Sequence, residues 1–183
     1  MGLDDLIPSM EEHNTAVLSA AQKVQAEIDE MNYIPHIGLD GKRNLRPAAS
    51  VHDYSNCFEG ALYASYRMWA ETGIQPRLLV IYNDKDRKES GHAVCFFEVD
   101  GKFYSIGQSK HSELKGRLMP HNSLTELANS YKIELAKKGY HPVGYKVFAL
   151  DVNKREIGLE DPNYWINGEN GANHLIEQVL EGS

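Results

Sequence analysis

A cysteine at the head of a helix and a histidine at the head of a strand are the two side chains best placed to do chemistry here. They lie in Asp53-Tyr54-Ser55-Asn56-Cys57-Phe58-Glu59-Gly60 and, 35 residues on, in Ser90-Gly91-His92-Ala93-Val94-Cys95. A thiol becomes a useful nucleophile when its pKa is lowered, and a helix N-terminus and a neighbouring imidazole both lower it. Asn56 has N-cap chemistry and Glu59 follows at capping-box spacing, so Cys57 is expected as the first helical residue. There the sulfur would sit at the positive end of the helix dipole. Backbone amides around Asn56 and Cys57 would form part of an oxyanion hole. His92, opening a strand after glycine, could take the thiol proton and return it to a leaving amine. The chemistry is attack on an amide carbonyl through an acyl-thioester. Resolution by water would give proteolysis or deamidation, and resolution by an amine transamidation.

Strand alternation puts His92, Val94 and Phe96 on one face and Ala93, Cys95 and Phe97 on the other. Cys95 therefore reads as a small core hydrophobe, which leaves Cys57 as the candidate nucleophile. A buried thiol and a hydrogen-bonded core histidine would present the same residue types; the positions at element starts separate the two readings. The remaining histidines, among them His111, His121, His141 and His174, show no HxxxH or HExxH spacing. No metal site and no cofactor are expected. GxGxxG and P-loop patterns are also missing, so a nucleotide fold has no support.

The elements that must position these groups are legible from periodicity. Met10, Val17, Leu18, Ala21, Val24, Ile28 and Met31 mark one face of a long helix over about 9–32, and 33–50 reads as loop. The cysteine helix carries Leu62, Tyr66 and Trp69 as its expected buried stripe and stops at Gly73; small Gly60 and Ala61 allow close packing. Strands follow over 77–82 and 92–99, and Asp100-Gly101 turns the chain into a third strand over 102–106. Residues 123–138 read as a helix, 145–150 as a fourth strand, and 175–180 as a short amphipathic helix. Helix, antiparallel strands, then more helix and strand is the order of an α+β protein.

A net charge of −7 with no clustered Lys and Arg opposes a nucleic-acid partner and favours a protein or peptide substrate. No stretch is apolar for long enough to cross a membrane, and the first residues lack the pattern of a secretory signal. Two cysteines make no disulfide framework. A cytoplasmic protein is expected, with signal-independent export still compatible. The length suits a single α+β domain over 1–183, with an N-terminal helical extension (about 9–32) and a C-terminal tail (about 152–183).

Residues 50–110 resemble the transglutaminase-like and papain-like cysteine hydrolase superfamily. Asn56-Cys57-Phe58 is similar to its helix-start motif, and Gly91-His92-Ala93-Val94 with the Asp100-Gly101 hairpin is similar to its histidine strand. The resemblance implies a papain-like or transglutaminase-like core, the cysteine helix packed on an antiparallel sheet, Cys57 as nucleophile and His92 as base and acid. In transglutaminase-like proteins an Asp commonly follows about 15 residues after the histidine; here Gly107 holds that place, and Gln108 comes next. Some similar cysteine deamidases use Gln as the third residue. The resemblance thus implies that a glycine bulge turns Gln108 inward, where its amide oxygen accepts the imidazole N–H. The departure also leaves an alternative, a catalytically lapsed fold serving as a protein-binding or regulatory module.

Overall fold

The computed structural model describes residues 3–35, 51–75, 77–84, 91–150 and 172–179. Helix α1 (Leu3–Asp29) leads through β1 (Asn32–Tyr33) and β2 (Tyr54–Ser55) to α2 (Cys57–Thr72). Then come β3 (Arg77–Asn83), β4 (His92–Val99), β5 (Lys102–Ile106), β6 (Arg117–His121), α3 (Leu124–Lys137), β7 (Pro142–Leu150) and β8 (Ala172–Val179). β1 and β2 form a small parallel pair, and the other six strands form one antiparallel sheet in the order β6-β5-β4-β3-β7-β8. The protein is α+β.

Strand alternation sorts the core into two layers. Val94 and Phe96 of β4 join Leu79, Ile81, Tyr145 and Val147 beneath Leu127, Ala128, Tyr131 and Leu135 of α3. Cys95 and Phe97 turn the other way, to Val17, Ala21, Val24 and Ile28 of α1 and Ala64 and Met68 of α2. The expectation for Cys95 holds: it is buried on the face opposite His92's neighbours, and burial pushes its thiol up to about 12, with a Ser65 hydrogen bond opposing.

The cysteine helix begins and ends where its sequence says. Asn56 accepts the Glu59 N–H at 2.8 Å, Glu59 accepts the Asn56 N–H at 3.3 Å, and Gly73 closes the helix at φ 73°. Asp100 and Gly101, at φ 51° and 72°, make the hairpin turn. The α2 stripe differs from expectation. Phe58, Ala61, Leu62, Ala64, Ser65 and Met68 are buried, whereas Tyr66 and Trp69 are half-buried. Packing against both α1 and β4 rotates the buried arc toward the smaller residues.

Three further differences concern strands. Residues 172–179 form β8, where the sequence suggested a short helix around 175–180, because β8 pairs along the free edge of β7 from Gly144 to Leu150. An exposed ladder of N–H and C=O groups outweighs a weak local helix preference. β6 is unanticipated because Pro120 interrupts its sequence, which an edge strand tolerates. Likewise Asn32–Tyr33, expected as helix end and loop, pairs with Tyr54–Ser55. The expected tail at 152–183 falls mostly outside the described residues, as does most of the loop expected over 33–50. Among the described residues no helix is long and apolar enough to cross a membrane.

Candidate functional site

Cys57 is the first residue of α2, half-buried, behind the complete capping box. The cap holds Asn56 extended, at φ −86° and ψ −178°, and this fixes where the helix N-terminus points. Cys57 and His92 line one cavity of about 60 Å³, together with Gly91, Ser109, Lys110 and His111. That volume admits a few waters or one small acyl group. The two residues reach it from opposite layers: α2 packs against the Cys95 face of β4, whereas the His92 ring lies on the α3 face, 5.3 Å from the Tyr131 ring. Both line the cavity at the start of β4.

His92 is 5 % exposed, and its Nε2 donates to the Leu114 carbonyl at 2.6 Å. Burial pushes its pKa down to about 4, a Leu114 hydrogen bond opposes this, and the Arg117 charge adds to the fall. The ring is therefore neutral at pH 7. With Nε2 carrying the proton, Nδ1 has the free lone pair that a base needs.

The expected role of Gln108 needs correction. Its Nε2 donates to the Ile28 and Met31 carbonyls at 3.2 Å each, and its oxygen accepts the Ser109 N–H at 3.0 Å. The imidazole takes the Leu114 carbonyl instead. The reason is facial: Gln108 lies under the start of α2, where a β-carbon on Gly60 would come within 2.5 Å of Gln108 Cβ. There its amide donates to carbonyls at and just past the end of α1, of which that of Ile28 also accepts the Met31 N–H at 3.0 Å. The structure thus places Cys57 and His92 at one cavity and Gln108 in a supporting position behind it.

The segment after β5 is the part that sequence reasoning missed. It forms a strap over 107–116, pinned at both ends. Gln25 of α1 accepts the Gly107 N–H and donates to the Gly107 carbonyl, both at 3.0 Å. At the far end, the Arg117 N–H donates to Ser105 Oγ, Ser105 donates to the Tyr131 hydroxyl, and Tyr131 donates to the Lys115 carbonyl. Arg117 also lies 4.2 Å over the Tyr131 ring and donates to the Lys115 and Glu113 carbonyls. This strap supplies Leu114 to His92 and brings Ser109, Lys110 and His111 to the cavity. The paired glycines 107 and 116 were its available signal. A β-carbon on Gly116 would lie 2.2 Å from Gln25 Oε1, and one on Gly107 would lie 2.7 Å from Val94 Cγ1.

Among the described residues no group of three or more His, Cys, Asp or Glu is arranged to hold a metal ion. No protein-family model matches the chain, and no curated protein sequence matches it.

Proposed function

We propose that the protein is a cysteine-nucleophile enzyme acting on amides, with a core of the transglutaminase-like or papain-like kind. The observation that carries this reading is the shared cavity: a thiol at a capped helix N-terminus and a neutral imidazole line the same small space. Cys57 gives its proton to His92 Nδ1, and the sulfur forms a bond to the carbonyl carbon while the C=O pair moves to oxygen. Amides at the start of α2 receive that oxyanion. Collapse breaks the C–N bond, and the leaving nitrogen takes the proton from the imidazolium. Water or an amine then attacks the acyl-thioester, giving its proton to His92, which returns it to sulfur as the C–S bond breaks. In this scheme a backbone carbonyl, that of Leu114, fixes the tautomer that a carboxylate commonly fixes.

Burial of His92 favours the second reading, a lapsed fold used for protein binding, since a desolvated imidazolium is costly. Iodoacetamide labelling across pH, read at each cysteine by peptide mass spectrometry, decides between them. Cys57 is expected to alkylate with a midpoint below the roughly 8.5 of an isolated thiol because of the helix N-terminus, and His92→Ala, which removes the base, should slow its alkylation at neutral pH. Labelling of Cys57 no faster than in denatured protein would remove the enzyme.

A further inference from the structure

We propose that the Cys57 cavity accepts an acyl group bearing a carboxylate, which Lys110 binds at the cavity rim. The inference deepens the cysteine-nucleophile reading and rests on it. The chain is acidic, at −7, yet none of the described residues lining this cavity is Asp or Glu. Besides Cys57 and His92, its polar lining residues are Lys110, His111, Ser109, Tyr33 and Tyr140, and leucines and Gly91 complete the wall. Lys110 is exposed and His111 half-buried, so both border the cavity from the solvent side.

Among the described residues the nearby charges are engaged with one another, and none of these pairs includes Lys110. Lys115 pairs with Asp29 at 3.2 Å and Lys138 with Glu113 at 3.4 Å. No carboxylate among the described residues pairs with Lys110. Glu113, the acid whose charge interacts with His111, is the one held by Lys138. Glu59, two residues from Cys57, has its carboxylate turned back to the Asn56 N–H. A lysine lining the same cavity as a nucleophile, with Glu59 and Glu113 committed elsewhere, selects an anionic substrate by Coulomb attraction. The small volume requires that the anion lie close to the reacting carbonyl.

Paired alkylating reagents test this directly. Iodoacetate and iodoacetamide differ by one negative charge and attack the same sulfur. The ratio of their rates at Cys57, divided by the ratio in denatured chain, cancels any change in thiol reactivity. The normalised ratio should favour iodoacetate by about five- to tenfold, the factor of one close positive charge, and shrink in high salt. Lys110→Met should bring it near unity, and Lys110→Arg should keep it. A normalised ratio of one in the native protein, or one unchanged by Lys110→Met, overturns the proposal while leaving a reactive Cys57 standing. If neither reagent modifies Cys57 faster than in denatured protein, the nucleophile fails and this inference with it. The carboxylate could belong to a free small molecule or to a peptide C-terminus. Ammonia release from glutamine, compared with release from a peptide ending in glutamine, separates these sources, and silence from both overturns the carboxylate-bearing carboxamide as substrate.

Discussion

His92 is a neutral base held by a carbonyl, and this has a consequence for stability. In the unfolded chain the imidazole takes a proton as pH falls through about 6.5; in the folded chain it resists until about 4. Between those values the unfolded state binds more protons, so stability must fall as pH falls through that window. The lowered pKa corresponds to about 3 kcal/mol, lost progressively from pH 6.5 down to 4. Urea denaturation at a series of pH values should show this slope in wild type and lose it in His92→Gln. Gln108 belongs to a different circuit. Gln108→Ala removes the side-chain donor of the Met31 and Ile28 carbonyls, of which that of Ile28 keeps another, the Met31 N–H, and should cost about 1–3 kcal/mol. It should leave the neutral-pH rate of Cys57 alkylation where it was, because the imidazole rests on Leu114. A lowered rate would return Gln108 to the site.

At the scale of the element, α2 matters for the position of its first turn more than for its length. Asn56 and Glu59 hold that turn, and Asn56→Ala should cost about 1 kcal/mol, with Asn56→Asp close to wild type in a denaturation series. Gly60 sets how closely the turn approaches the strap. A methyl there meets Gln108 Cβ at 2.5 Å, within rigid packing, so Gly60→Ala should destabilise by about 1–3 kcal/mol. It should also slow Cys57 alkylation by displacing 107–109 from the cavity wall.

For the whole molecule, α1 is part of the body. Val17, Ala21, Val24 and Ile28 are each at most 2 % exposed, and they cover Met68, Cys95, Phe97 and Ile106. Each buried Val or Ile contributes about 1.5–3 kcal/mol, against a typical total stability of roughly 5–15 kcal/mol. Glu27 adds a bidentate pair with Arg67 of α2 at 3.1 Å, which lowers the Glu27 carboxyl. A chain lacking residues 1–30 should therefore show no cooperative melt by circular dichroism. If it melts as the full chain does, α1 is an accessory after all.

What the sequence determined alone was local. The Asn56–Glu59 cap, the Gly73 stop, the Asp100-Gly101 turn and the alternation that buries Cys95 away from His92 depend on neighbours within a few residues. Short-range chemistry of this kind is written where it acts. The tertiary structure decided the rest. It made a strand of 172–179 because β7 had a free edge, and it sent Gln108 to the end of α1 because Gly60 left room beneath α2. It brought Leu114 to His92 through a strap anchored by Gln25, Tyr131 and Arg117. Such partners come from distant segments, and a carbonyl that any residue could supply leaves no mark in the sequence.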